Sequence, residues 1–171
     1  MEDEIIMVSE TYVECLVARK SSFGMRFLKT LLIMLTVCFV VIGIIFVPAF
    51  LVAIAVGVGA YFSYMHADIE YEYLYVDKEI SVDRIMAKSK RKKVASYELE
   101  RLELMAPLNS HHLDAYRNRT MKTVDYSSGM DNGQNRRYVM IFDSNMKVIW
   151  EPNEEIIKAM QMVAPRKIVT D

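Results

Sequence analysis

The dominant pattern in this chain is an uninterrupted apolar run. No charged side chain occurs among the thirty-six residues from Thr30 to Met65. As a helix rising ~1.5 Å per residue, this run would be roughly 54 Å long, well beyond the ~30 Å hydrocarbon core of a bilayer. The run therefore predicts membrane-spanning structure that is too long for one crossing.

A proline divides the run near its middle. Proline inside a helix removes a hydrogen bond and clashes with the preceding turn, so a break is predicted near Phe46-Val47-Pro48. The first span then covers about residues 27–46 and the second about residues 49–65. Together they form a transmembrane hairpin of two helices over residues 27–65.

Small side chains recur along the second span. Ala49, Ala53 and Gly57 are spaced every four residues and therefore share one helix face. Such a face lets a neighbouring helix approach closely, which favours a tight hairpin or self-association through it. The alternative is that these residues only reflect the ordinary composition of membrane helices.

The distribution of basic residues predicts the orientation. Arg19, Lys20, Arg26 and Lys29 flank the first span, whereas the turn between the spans carries no charge. The positive-inside rule then places both termini in the cytoplasm of a multi-pass protein of the cell membrane. A single kinked span would instead place residues 66–171 outside the cell. The acidic start and the length of the run disfavour a cleaved signal peptide.

Residues 1–26 precede the hairpin and are predicted to contain an amphipathic helix. One helical face within residues 4–20 consists of Ile5, Val8, Tyr12, Leu16 and Arg19. This spacing is typical of a helix lying on a membrane or on a folded domain. A frayed N-terminal helix is the alternative.

Residues 66–171 are predicted to form a cytosolic α+β domain. Alternating apolar residues and turn signals indicate about seven short strands, near residues 69–76, 79–87, 92–98, 101–106, 120–126, 137–142 and 146–150. A helix follows, with Asn153 as N-cap and Pro165 as its end. Seven strands closed by a C-terminal helix are the element order of a pleckstrin-homology-like (PH-like) β-barrel or sandwich.

Composition narrows the function classes. The chain is 53% hydrophobic, and residues 66–171 carry seventeen basic and seventeen acidic side chains. That balance disfavours a nucleic-acid-binding protein, which is normally strongly basic. Only two cysteines are present, Cys15 and Cys38, so no disulfide framework is expected.

Three stretches resemble a small family of membrane proteins from anaerobic Firmicutes. They are Met105–Asn118, Val124–Gly129, and Glu151–Glu155 continuing to Ala164–Lys167. That family is recorded as a domain of unknown function, so the resemblance implies no catalytic or binding residue. The layout is also similar to bacterial membrane proteins that carry a PH-like domain.

The strongest charge cluster consists of Lys88, Lys90, Arg91, Lys92 and Lys93. Near a cytosolic leaflet, such a cluster attracts anionic lipid, by about 1 kcal/mol per residue. The basic cluster falls at the second turn of the domain. In PH domains that hold phosphoinositides, the basic residues belong mainly to the first hairpin. The alternative is a solvated turn that keeps the domain soluble.

Residues 108–119 form a predicted loop with candidate interaction residues, namely His111, His112, Asp114, Tyr116 and Arg117. Adjacent histidines rarely face one ion, and no cysteine or third histidine lies at ligand spacing, so no metal site is expected. No nucleophile with a credible base is apparent, and no catalytic residue or cofactor is assigned.

Three hypotheses follow from the sequence. The first is a membrane-tethered, non-enzymatic module that binds a protein partner or the membrane surface. The second is an accessory subunit of a membrane transport or envelope-assembly complex, docked through the small-residue face. The third is an enzyme with a catalytic group in the loop at residues 111–119.

Overall fold

The computed structural model of the protein describes residues 12–130 and 137–170. They divide into two compact units. The hairpin unit comprises residues 18–71 and 84–92. The sheet unit comprises the remaining described residues, 12–17, 72–83, 93–130 and 137–170.

Two long apolar helices occupy most of the hairpin unit. Helix α1 spans Phe23–Ile45 and helix α2 spans Ala49–Ala67. The break falls at Phe46–Pro48, where the proline predicts it, and α1 begins four residues earlier than residue 27. Both helices are long and apolar enough to cross a membrane, by length and composition.

The first sheet contains four strands in the order β1-β2-β3-β4. They are β1 (Val13–Ala18), β2 (Ile69–Val76), β3 (Glu79–Met86) and β4 (Lys90–Glu98). In β2, Tyr71, Tyr73 and Tyr75 are buried, as the alternating pattern predicts.

Strand β1 corrects the amphipathic helix predicted within residues 1–26. Val13, Cys15 and Val17 are partly covered, whereas Glu14, Leu16 and Ala18 are exposed, so the period is two rather than 3.6. Pairing with β2 overrides the weaker helical pattern in this segment. Residues 4–11 of the predicted helix lie outside the described residues.

Three tight turns connect neighbouring strands with left-handed backbone. The non-glycine residues with positive φ are Asp77, Lys78, Ala87, Lys88, Asp143 and Ser144. Two successive positive φ values are the signature of a type I′ turn, whose twist matches that of paired antiparallel strands.

The second sheet has the order β5-β7-β8-β6. Its strands are β5 (Leu102–Pro107), β6 (Lys122–Asp125), β7 (Tyr138–Phe142) and β8 (Met146–Trp150). Strand β7 pairs antiparallel with β5 and β8, whereas β6 runs parallel to β8. A 3-10 turn (His111–Leu113) and the short helix α3 (Asp114–Arg117) connect β5 to β6.

Helix α4 (Glu154–Val163) closes the sheet unit. The Asn153 side chain caps it by accepting a hydrogen bond from the Ile156 backbone amide at 2.9 Å, as the sequence predicts. Val163 is exposed at the C-terminal end of the helix. The fully buried side chains of this unit include Tyr73, Ile80, Val82, Met105, Met140, Trp150, Ile156 and Met160.

Candidate functional site

The two long helices meet along a seam with a period of 3.5 residues. The four buried residues of α2 are Ala49, Ala53, Ala60 and Ala67, at intervals of four, seven and seven. Spacings of this kind keep one narrow face directed at a neighbouring helix, as in a left-handed coiled coil. The seam is therefore longer than the predicted Ala49, Ala53 and Gly57 face, and the continued heptad of alanines is the signal that sequence reasoning missed.

Contacts at two glycines show how closely the helices approach. A Cβ atom on Gly43 would lie 2.9 Å from the Phe50 ring, and one on Gly57 would lie 3.5 Å from the methyl group of Thr36. The small face of α2 thus packs against α1. The predicted docking of another subunit through this same face would have to displace α1.

The outer faces of both helices are apolar and exposed. Ile45 of α1 is 91% exposed, and Leu51 and Ile54 of α2 are 72% and 65% exposed. A folded protein in water rarely leaves so many large apolar side chains uncovered in one region. This exterior is typical of surface that contacts lipid.

A polar cluster lies where the two helices begin and end. The Lys29 amine donates to Asp68 Oδ2 at 2.9 Å and also lies 4.5 Å from the centre of the Tyr64 ring. Nearby in the chain, the Arg19 guanidinium donates to the Tyr71 hydroxyl at 2.9 Å. These contacts join the segment entering α1 to the segment leaving α2.

The basic turn between β3 and β4 lies beside this cluster. The Ala87 amide donates to the Asp68 carbonyl at 2.8 Å, directly after the last residue of α2. The side chains of Lys88, Lys90, Arg91 and Lys92 are exposed in the hairpin unit. Lys93 is different, since it belongs to the sheet unit and pairs with Glu79 at 3.6 Å.

Charge is segregated between the two units. Residues 18–71 and 84–92 contain nine basic and two acidic side chains, a net charge of +7. The whole chain has a formal charge of −1, so the remaining residues carry −8. The unit that contains the apolar helices is therefore net positive, whereas the rest of the chain is net negative.

Local contacts connect the side chains of the predicted interaction loop. Asp114 and Arg117 form an ion pair of 3.7 Å, and the His111 and His112 rings lie 4.0 Å apart. The Tyr116 hydroxyl donates to Glu103 at 3.3 Å. No group of three potential metal ligands occurs among residues 12–130 and 137–170. These five side chains are brought together on one surface segment.

Two cavities flank this loop in the sheet unit. One, of about 600 Å³, lies against α4 and is lined by Asn109, Arg137, Glu154, Lys158 and Gln161 among others. The second, of about 220 Å³, is lined by Leu113, Tyr116, Met121, Ile141 and Lys147 among others. Leu108 and Asn109 contribute to both. The loop therefore stands between two concave surfaces.

A polar network that sequence reasoning missed joins β6 to β8. Asp125 Oδ1 accepts hydrogen bonds from the Ser127 amide at 2.8 Å and the Ser127 hydroxyl at 2.7 Å. Glu151 Oε2 accepts from the Ser128 amide at 3.1 Å. The Asp-x-Ser pattern is the local signal for such a turn. Both serines are buried, so the network stabilises the fold rather than presenting a nucleophile.

Cys15 is the half-buried cysteine of β1. Burial raises the pKa of its thiol above the ordinary value of 9.0, a backbone hydrogen bond from Asn153 opposes this, and the Glu151 carboxylate adds to it. Thiolate is the reactive form of cysteine, so Cys15 is a poor nucleophile near neutral pH.

A family model described as a bacterial PH-like domain of unknown function, DUF6106, matches residues 9–170. The match includes both apolar helices as well as the two sheets and α4. It confirms the resemblance to an uncharacterised family with a PH-like domain. No match was found among curated proteins or among solved structures.

Proposed function

This chain belongs to the bacterial PH-like domain family DUF6106, and we propose that it is a membrane-anchored interaction module without enzymatic activity. PH-like domains are generally modules that bind proteins or lipids. In this proposal the α1–α2 hairpin inserts in the cell membrane, and the sheet unit binds a protein partner in the cytoplasm.

The exposed apolar exterior of the hairpin is the observation that carries the proposal. Helices of twenty-three and nineteen residues would be about 34 Å and 28 Å long, close to the ~30 Å hydrocarbon core. The helices satisfy their own backbone hydrogen bonds, as a lipid environment requires. Their mutual contact uses small residues, so the large apolar side chains remain available to lipid.

The basic residues of the hairpin unit support a cytoplasmic position for its open end. Arg19, Lys20, Arg26 and Lys29 lie there, whereas the turn at Phe46–Pro48 is uncharged. Because a hairpin returns the chain to the side from which it started, both termini are then cytoplasmic.

Topology mapping tests this anchoring. In a Cys15→Ala, Cys38→Ala background, a membrane-impermeant maleimide should label Val47→Cys from outside intact cells. The matched Ser21→Cys variant should be labelled only after the membrane is opened. A reporter after Asp171 should be active only inside the cell, and activity outside would overturn the hairpin topology.

The loop at residues 108–117 is the proposed protein-binding surface. Its exposed His111, His112 and Asp114 side chains and the two flanking cavities support this assignment. A partner could place side chains in both cavities while contacting the charged loop between them.

Site-specific crosslinking in native membranes tests this surface. A photoreactive residue at His112 should give a discrete crosslinked product, whereas the same group at Thr123, an exposed position on β6, should not. Exchanging Asp114 and Arg117 keeps the net charge but reverses the surface pattern, so it should abolish the product. Equal crosslinking from both positions, or a product that survives the exchange, would contradict the assignment.

A further inference from the structure

The basic turn is fixed next to the end of an apolar helix. Helix α2 ends at Ala67, and the carbonyl of the following residue, Asp68, accepts a hydrogen bond from Ala87 at 2.8 Å. Lys88 is the next residue in the chain, at the tip of the β3–β4 turn with φ +54°. The position of this turn relative to α2 is therefore set by backbone contacts.

The acidic side chain that directly follows α2 is already paired. Asp68 forms its ion pair with Lys29 of α1 at 2.9 Å. Within residues 12–130 and 137–170, no ion pair is described for Lys88, Lys90 or Lys92. These three exposed lysines therefore have no carboxylate partner among the described residues.

The dimensions of a bilayer place such a turn among lipid headgroups. Each headgroup region adds roughly 5–8 Å beyond the hydrocarbon core. The Debye length at physiological salt is about 8 Å, so charges within the first residues beyond the helix end still interact with the surface. Each Lys or Arg near an anionic surface strengthens binding to that surface by about fivefold.

We propose that the β3–β4 turn, through Lys88, Lys90 and Lys92, is a contact site for anionic phospholipid headgroups. The inference rests on the proposed insertion of the hairpin and specifies what its open end binds. The apolar helix ending beside the turn favours lipid over a free phosphate or a nucleic acid. The net charge of +7 in the hairpin unit adds to the attraction.

Full-length protein in vesicles of stated composition tests the contact. A fluorophore on Ser89→Cys, in the Cys15→Ala, Cys38→Ala background, reports quenching by brominated lipid. In vesicles of about one third phosphatidylglycerol, quenching by brominated phosphatidylglycerol should be several-fold stronger than quenching by brominated phosphatidylcholine at the same mole fraction, and about 0.5 M salt should remove most of the difference. The triple variant Lys88→Gln, Lys90→Gln, Lys92→Gln should not show this difference in quenching.

A matched variant controls for net charge. Lys78→Gln, Lys122→Gln and Arg166→Gln remove three exposed positive charges from the sheet unit and should leave the quenching difference intact. Quenching that does not depend on anionic lipid, or an equal loss in both triple variants, would overturn the inference.

Flotation after an alkaline wash separates this inference from the anchoring proposal. Failure to float with phosphatidylcholine vesicles would contradict insertion itself, whereas flotation with lipid-independent quenching contradicts only the headgroup contact. Amine acetylation of the unsubstituted protein supplies a second readout. Anionic vesicles should slow modification of Lys88 and Lys90 relative to Lys158, and equal rates would also overturn the inference.

Discussion

At the residue scale, buried tyrosine hydroxyls predict sensitivity to alkaline pH. Burial raises the pKa of Tyr73 and Tyr97 above the ordinary value of 10.0, and for Tyr97 the neighbouring Tyr126 hydroxyl adds to the effect. The unfolded chain loses these protons near pH 10 while the folded state retains them. Below about pH 10, these groups therefore leave the free energy of unfolding unchanged. Above it, each tyrosine lowers the free energy of unfolding by up to about 1.4 kcal/mol per pH unit.

Denaturant unfolding of the full-length protein in detergent, between about pH 8 and 11, measures this dependence. Tyr97→Phe should flatten the alkaline fall because the ring stacked on Phe142 is kept while the ionisable hydroxyl is removed. An unchanged slope in this variant would exclude Tyr97 as a source of the effect.

The turn residue Lys78 offers a stabilising substitution. Its φ of +64° is costly for any residue with a Cβ atom and is freely adopted by glycine. Lys78→Gly should raise the free energy of unfolding by about 1 kcal/mol, as measured by denaturant unfolding. Lys78→Ala removes the same side chain but keeps the strain, so an equal gain in both variants would assign the effect to the side chain.

At the element scale, the hairpin should tolerate added volume on one face and not on the other. A Cβ on Gly43 meets the Phe50 ring at 2.9 Å, whereas a Cβ on Gly59 meets nothing within 4 Å. Gly43→Val should therefore separate the helices and lower the melting temperature in detergent by several degrees, since overpacking costs roughly 1–3 kcal/mol. Gly59→Val is the matched control, and equal effects would contradict the described packing.

The elements also show where sequence patterns are reliable. Pro48 fixes the break between the helices, and the alternating tyrosines of β2 fix its buried face, because both effects are local. The local sequence pattern did not predict strand β1, because its pairing with β2 depends on residues about fifty positions away. The parallel pairing of β6 with β8 is non-local for the same reason.

At the scale of the whole molecule, the sequence identifies the charged groups but not their grouping. Lys88 to Lys93 appear as one basic cluster in the sequence, yet Lys93 belongs to a different compact unit and pairs with Glu79. The segregation of charge between the units follows from strand pairing, which brings residues 84–92 beside the hairpin ends. Periodicity along the chain contains no information about that neighbourhood.

The adjacency of the hairpin ends predicts that the α1–α2 hairpin can be excised. The Arg19 amide donates to the Ile69 carbonyl at 2.9 Å, so the chain leaves β1 and enters β2 at nearly the same point. Replacing residues 22–67 with a short Asn-Gly turn should preserve this strand pair, since such turns suit two antiparallel strands. The excised protein should fractionate with the cytosol and keep a cooperative thermal transition measured by circular dichroism.

Removing α1 alone provides the contrasting experiment. The remaining helix would cross a membrane once and separate β1 from β2 by the thickness of the bilayer, so the strand pair could not form. We expect this variant to be degraded or to aggregate in membranes, although it retains more of the chain than the excised protein. If the excised protein instead stayed with membranes after an alkaline wash, regions outside the hairpin would have to supply the anchor.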